Sequence, residues 1–118
     1  MSRSTITIYH NPRCSKSRQT LQLIRDAGVE PGIVEYLKTP PSTDELDAVL
    51  KKLKLEPTEL MRRKEATFKE LQLADRELSR DEALTVLTEN PVLIERPIVV
   101  KGRKAVIGRP PENVNELL

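Results

Sequence analysis

The order of the predicted secondary-structure elements is what most constrains the fold of this 118-residue chain. Thr5–Tyr9 alternates β-branched and aromatic residues, a pattern that predicts a strand. After a break at residues 10–14, apolar residues recur at helical spacing from Ser15 to Gly28, and glycine is a common C-terminal stop. Ile33–Tyr36 predicts a second short strand. A strand, a helix and a strand in this order favour a parallel pair joined by a right-handed crossover.

The middle third of the chain is predicted to be helical. Ser42 with Glu45, and Ser79 with Glu82, form Ser-x-x-Glu patterns that indicate helix N-termini. Apolar residues follow each pattern at helical spacing, and shorter helical pieces are predicted between them. This region therefore lies between two groups of strands as a helical insertion.

The last third of the chain returns to strands. Ile98–Val100 and Lys104–Ile107 flank a turn with Gly102, which predicts a β-hairpin, and a proline-rich turn then leads into a final helix. The full order is βαβ, helices and ββα. It predicts a single α/β domain over residues 1–118, with the mixed sheet of the thioredoxin-like fold. By analogy with that fold, the Arg96–Pro97 bond occupies the position of a cis-proline.

Composition excludes several classes of function. The chain has 20 Lys and Arg against 18 Asp and Glu, a formal net charge of +2, without the basic excess of a nucleic-acid-binding protein. No apolar run approaches the ~20 residues of a membrane span, and no signal-peptide core is present. We therefore expect a cytoplasmic protein. A single cysteine excludes an internal disulfide and, with one histidine, a thiolate zinc site, so we expect no bound metal or cofactor.

Cys14 is predicted to lie where the first strand ends and the first helix begins. The unpaired N–H groups of the first helical turn attract anions, and with the helix dipole they stabilise a thiolate, a strong nucleophile. Polar or basic side chains surround the cysteine: His10, Ser15, Lys16, Ser17 and Arg18. A lone cysteine is more often a small buried hydrophobe, but this context favours a reactive thiol. A phosphatase loop is excluded because Thr20 stands where that loop needs an arginine.

Residues 10–18, His-Asn-Pro-Arg-Cys-Ser-Lys-Ser-Arg, resemble the signature of the glutaredoxin-linked arsenate reductases, approximately His-Asn-Pro-x-Cys-x-x-Ser-Arg. Three further blocks match this family in the same order, at residues 59–64, 95–100 and 107–112. The resemblance runs from about Thr5 to the C-terminus. The basic loop around the cysteine and the short C-terminal region are similar to the compact, arsenate-reductase-like branch of the family.

The resemblance implies roles for six residues. Cys14 corresponds to the nucleophile. The residues that would hold the oxyanion are Arg62, Arg96 and Arg109. Those that would favour the thiolate are His10 and Ser17. The Leu-Met-Arg spacing favours Arg62, although the adjacent Arg63 leaves both open. Forked guanidinium donors match the oxygens of arsenate, and three of them from separate segments can surround one anion.

The resemblance also implies a reaction, the reduction of arsenate to arsenite. The Cys14 thiolate would attack arsenic and displace water. Because the chain has no second cysteine, a resolving thiol must come from outside. In this family glutathione is the co-substrate and glutaredoxin the protein partner. A monomer is expected, since no exposed apolar stripe stands out in the sequence.

Three other functions remain open on the same scaffold. A glutathione-dependent monothiol transferase also needs only one cysteine, but three arginines exceed what a mixed disulfide requires. A thiol-based transcriptional regulator of this fold usually carries a Cys-x-x-Cys pair, which is absent here. The third is an anion-binding module without turnover.

Overall fold

The computed structural model describes residues 5–118. Four strands form one mixed sheet, and they are β1 (Ile6–Tyr9), β2 (Gly32–Val34), β3 (Ile98–Lys101) and β4 (Lys104–Ile107). Their order across the sheet is β2-β1-β3-β4. β1 pairs in parallel with β2 and antiparallel with β3, which pairs antiparallel with β4. This arrangement confirms the thioredoxin-like α/β fold predicted from the element order.

The described chain divides into two compact units, one formed by residues up to Thr39 together with Arg96–Leu118, the other by Pro40–Glu95. The first unit contains the sheet, helix α1 (Ser15–Asp26) and a C-terminal 3₁₀ helix (Pro111–Leu117), which pack against each other. The fully buried side chains of its apolar core include Ile8, Ile24, Val99 and Val114. The final helix predicted from the sequence is thus a 3₁₀ helix. Whether the chain behaves as a single domain stays a prediction.

Helix α1 ends where the sequence indicates. Gly28 has a positive φ of 84°, and its N–H donates to the Arg25 carbonyl at 2.9 Å, which closes the last turn. Leu21 and Ile24 lie on the buried face of the helix, as their three-residue spacing predicts. Gly102 also has a positive φ, 60°, and it lies in the turn of the predicted hairpin.

The second strand is shorter than predicted. β2 ends at Val34, because the Glu35 carbonyl accepts hydrogen bonds from the N–H groups of Lys38 and Thr39, both at 2.9 Å, and the chain turns. Tyr36 nevertheless has a buried side chain, 1% exposed. A buried aromatic side chain in a turn therefore resembled the continuation of a strand.

The second unit is helical, as predicted for the middle third. It contains α2 (Thr43–Leu53), α3 (Ala66–Glu70) and α4 (Arg80–Glu89). It also contains the 3₁₀ helices Pro57–Leu60, Leu73–Asp75 and Pro91–Leu93. Within residues 5–118, no helix has the length and apolar character needed to cross a membrane.

Both predicted helix starts are confirmed. Ser42 Oγ accepts a hydrogen bond from the Glu45 N–H at 3.1 Å at the start of α2. Ser79 and Glu82 form the reciprocal capping box at the start of α4, with distances of 3.1 and 3.0 Å. Each contact satisfies an N–H group that the first helical turn leaves without a partner.

Candidate active site

Cys14 is the N-cap residue of α1 and has extended backbone angles, φ −94° and ψ 122°. Its carbonyl accepts the first helical hydrogen bond from the Arg18 N–H at 3.0 Å, and its own N–H donates to the Asn11 carbonyl at 3.0 Å. The residue is 8% exposed, and the first turn of α1 contains no acidic side chain. The sulfur therefore lies at the positive end of a helix dipole that no carboxylate in that turn opposes.

The loop that carries Cys14 is fixed by side chains within it. Asn11 Oδ1 accepts a hydrogen bond from the Arg13 N–H at 3.0 Å, an Asx-turn contact. Arg18 Nη1 donates to the Pro12 carbonyl at 2.9 Å. Because these contacts join the start of the loop to α1, the position of Cys14 is set before any ligand binds.

His10 and Ser17 contact each other beneath this loop. His10 Nδ1 lies 2.6 Å from Ser17 Oγ. Ser17 Oγ accepts a hydrogen bond from the Asn11 N–H at 3.0 Å. His10 is 6% exposed and Ser17 fully buried. Burial lowers the pKa of His10; Glu35 opposes this shift, and Arg25 contributes to it. A neutral imidazole whose Nδ1 accepts from the serine hydroxyl fits these contacts.

Arg109, one of the three predicted arginines, contacts Cys14. Its Nη2 lies 3.6 Å from Cys14 Sγ, and its Nε donates to the Arg96 carbonyl at 2.8 Å. Asn113 Nδ2 donates to the Arg109 carbonyl at 3.0 Å. Two hydrogen bonds thus hold Arg109 beside the sulfur, one made by its guanidinium group and one accepted by its backbone carbonyl.

Arg96 is partly exposed, and its Nε atom is buried. The Arg96–Pro97 bond is cis, at the position that the fold analogy indicated. The Arg109–Pro110 bond is also cis, and no sequence pattern predicted it. The hydrogen bond from Arg109 Nε to the Arg96 carbonyl connects two of the three predicted arginines.

Gly108 is a residue of this site that sequence reasoning missed. An added Cβ would lie 2.5 Å from Thr20 Oγ1 and 2.8 Å from Pro97 Cγ, both closer than Cβ atoms approach other heavy atoms. The Gly108 N–H donates to the Pro97 carbonyl at 2.9 Å. Because only glycine allows the segment before Arg109 to lie this close to α1, Gly108 helps to position that arginine. The glycine before Arg-Pro-Pro was the available signal.

Arg62 belongs to the second unit and is held there by two carboxylates. Its Nη1 donates to Glu65 Oε1, and its Nε lies 3.8 Å from Glu95 Oε1. The Arg62 N–H donates to the Leu93 carbonyl at 2.7 Å, beside an isolated β-bridge between neighbouring residues. The arginine side chain is 22% exposed.

Arg63 has a different environment from its neighbour. It is exposed, and its guanidinium carbon lies 5.7 Å from the centre of the Phe68 ring, a cation–π contact. The structure therefore separates the adjacent pair into a partly buried, ion-paired Arg62 and a surface Arg63. This difference favours Arg62 as the functional member, which stays a prediction.

A cavity of about 250 Å³ lies on one side of the Cys14 loop. Its lining residues are His10, Asn11, Pro12, Arg13, Glu35, Leu37 and Lys38. Larger depressions in the second unit, about 420 and 440 Å³, contain none of the predicted site residues. Among residues 5–118, no group of three or more His, Cys, Asp or Glu side chains is arranged to hold a metal ion.

The fold and these contacts define a thioredoxin-like protein with one thiol at a helix N-terminus and an arginine beside it. The model of the ArsC family matches residues 9–117, and the chain belongs to this family. It is 46% identical to an arsenate reductase of Haemophilus influenzae, over 97% of this chain and 99% of that protein. It is also 53% identical to YfgD, an uncharacterized protein of Escherichia coli strain K12, over 96% of both chains.

Solved structures agree with this membership. The chain superimposes on an arsenate reductase from Vibrio cholerae with a TM-score of 0.94. The two are 47% identical, and the match covers 99% of this chain and 100% of the other. The resemblance of residues 10–18 and of the three later blocks to the arsenate reductases is therefore confirmed.

Proposed function

We propose that this chain is an arsenate reductase, an oxidoreductase that converts arsenate to arsenite with Cys14 as its nucleophile. Relatives that bear this name are 46–47% identical over nearly the whole chain. The observation that carries the proposal is the position of Arg109 Nη2, 3.6 Å from Cys14 Sγ at the start of α1. One cationic donor and one helix N-terminus then act on the same sulfur and on an anion beside it.

The first chemical step is nucleophilic attack on arsenic. The Cys14 thiolate forms an S–As bond, and one As–O bond breaks, so that this oxygen leaves as water after it takes up protons. Arg96 and Arg109 would hold the remaining oxygens, together with Arg62. His10 and Ser17 would support the thiolate by fixing the loop in which Cys14 lies. Negative charge on the oxyanion is thereby neutralised as the bond forms.

The reduction itself needs two electrons from outside the chain. Two external thiol groups give up their protons and end as a disulfide, while arsenic(V) becomes arsenic(III) and leaves as arsenite. We assign these reactions to glutathione and glutaredoxin, which act as the external thiol donors. A reducing cytoplasm would keep the single thiol available for this chemistry, and a monomer suffices for it.

A coupled assay tests the proposal. Purified protein is mixed with arsenate, glutathione, glutaredoxin, glutathione reductase and NADPH, and NADPH consumption is followed. Consumption that requires arsenate and disappears in Cys14→Ser is the expected result. Absence of arsenate-dependent turnover, with both coupling proteins shown to be active, would contradict it.

The adjacent arginines provide a matched pair of variants for the second unit. Arg62→Ala should lower kcat/KM about 100-fold or more, the size of the effect when one oxyanion donor is removed. Arg63→Ala removes the same charge from the neighbouring surface position and should retain activity. If Arg63→Ala is the variant that loses activity, the assignment moves to Arg63.

The remaining functions have their own signatures in the same preparation. Reduction of a glutathione mixed disulfide without any response to arsenate would identify a monothiol transferase. Copurification with RNA polymerase would identify a regulator. Arsenate binding without turnover would identify an anion-binding module.

A further inference from the structure

Two acidic side chains compensate the positive charge of Arg62. We would not expect this environment for a residue that is proposed to hold an anion, because the carboxylates repel the anion. Glu65 accepts a hydrogen bond from Arg62 Nη1, and Glu95 Oε1 lies 3.8 Å from Arg62 Nε. All three side chains are partly buried, with exposures of 22%, 27% and 30% for the arginine, Glu65 and Glu95. Water screens such a group of charges less than it screens an exposed pair.

These contacts restrict how an oxyanion can bind to Arg62. A guanidinium group presents its N–H donors in one plane, on Nε, Nη1 and Nη2. Glu65 accepts one hydrogen bond from Nη1, and Glu95 Oε1 lies 3.8 Å from Nε, so Nη2 is the nitrogen with both N–H groups outside these two contacts, and an oxyanion would be held through it. Nη2 adjoins both other nitrogens on the same carbon atom. The bound anion would therefore lie beside both carboxylates.

The carboxylates distinguish between two classes of oxyanion. An ionised carboxylate only accepts hydrogen bonds. Arsenate and phosphate keep at least one O–H group near neutral pH and can donate it to a carboxylate in a short, charge-assisted hydrogen bond. Sulfate and selenate carry no proton there, so each of their oxygens would meet the carboxylates as a like charge.

We propose that Glu65 and Glu95 make this protein selective for oxyanions that retain a proton, the arsenate and phosphate class, against fully ionised oxyanions such as sulfate and selenate. The inference rests on the proposed role of Arg62 in oxyanion binding. It assigns to the two glutamates a part in substrate selection, which is distinct from holding the arginine in place.

Isothermal titration of the full chain with sodium arsenate, phosphate, sulfate and selenate at constant ionic strength tests the inference. Sulfate and selenate should bind the unaltered protein roughly 10- to 100-fold more weakly than arsenate, the equivalent of one hydrogen bond to a charged group. In the double variant Glu65→Gln, Glu95→Gln, the amide groups can donate to sulfate, and this ratio should fall towards one.

A second double variant, Glu70→Gln with Glu89→Gln, controls for net charge. It removes the same two charges from exposed positions of the second unit and should leave the ratio unchanged. An unchanged ratio in the Glu65, Glu95 variant, or an equal fall in the control, would overturn the inference.

A measurement on the unaltered protein keeps the inference testable even if the double variant does not fold. Phosphate should inhibit arsenate turnover competitively, and sulfate should inhibit at least about tenfold more weakly. Equal inhibition by the two anions overturns the selectivity while arsenate turnover, and with it the proposed function, still stands. Failure of arsenate to bind or react would overturn both.

Discussion

Substitution of Gly108 by alanine tests whether close packing positions Arg109. The new methyl group would lie 2.5 Å from Thr20 Oγ1 and 2.8 Å from Pro97 Cγ. Thr20 is fully buried, and its hydroxyl donates to the Lys16 carbonyl at 2.8 Å, so the side chain cannot turn away without losing that bond. Overpacking of this kind costs about 1–3 kcal/mol, and we expect a loss of about 2 kcal/mol in the free energy of unfolding.

The same substitution should also reduce activity. Relief of the overlap requires the backbone at Gly108 to move, and Arg109 is the next residue. A shift of this segment would displace the Arg109 guanidinium, whose Nη2 lies 3.6 Å from Cys14 Sγ. Because misplacement of a catalytic group by about 1 Å can cost roughly 100-fold in rate, kcat/KM should fall by an order of magnitude or more even in protein that remains folded.

Urea unfolding, monitored by circular dichroism, measures the loss in the free energy of unfolding. Gly32→Ala is the matched control. A Cβ on Gly32 has Thr7 Oγ1 as its nearest neighbour at 3.7 Å, an ordinary contact, so this variant should change stability by less than about 0.5 kcal/mol or gain slightly. In a Thr20→Ala background the cost of Gly108→Ala should fall by about 1 kcal/mol. Equal unfolding free energies for the two single glycine variants would refute the packing argument.

Two further predictions concern the groups around the thiol. Burial holds the pKa of His10 below its usual 6.5, so the unfolded chain takes up a proton first as the pH falls. The stability gained from a neutral His10 is present above pH 6.5 and declines below it; the difference in unfolding free energy between the unaltered protein and His10→Gln should shrink from pH 7 to pH 5, and a constant difference would contradict this. Arg109→Ala should slow iodoacetamide alkylation of Cys14 at pH 7, whereas Arg103→Ala, at an exposed position of the hairpin turn, should not, and equal rates would remove Arg109 from the thiol's environment.

Most secondary-structure elements could be predicted because their signals are local. The serine caps at Ser42 and Ser79 and the turn at Gly102 each act within a few residues of sequence. The end of β2 could not, because the aromatic Tyr36 is buried by tertiary packing in a turn. A local pattern does not distinguish these two kinds of burial.

The environment of Arg62 could not be predicted from the sequence either. Glu65 lies three residues away and is visible as a local partner, but Glu95 is 33 positions further along the chain than Arg62. The sequence likewise could not separate Arg62 from Arg63, because the difference depends on the contact of Arg63 with Phe68 and on the burial of its neighbour. Charge compensation in a folded chain is set by such contacts and not by composition.

The two halves of the proposed chemistry differ in the same way. The features that support a reactive sulfur at Cys14, a helix N-terminus, an Asx turn and the His10–Ser17 contact, lie within eight consecutive residues, 10–17. The contact with Arg109 joins positions 95 residues apart and depends on the glycine that allows the intervening segment to approach α1. A nucleophile can therefore be recognised from its own segment, whereas an oxyanion site built by distant segments is recognised from sequence only through resemblance to a family. Variants at Gly108 consequently test the part of the site that the local sequence does not encode.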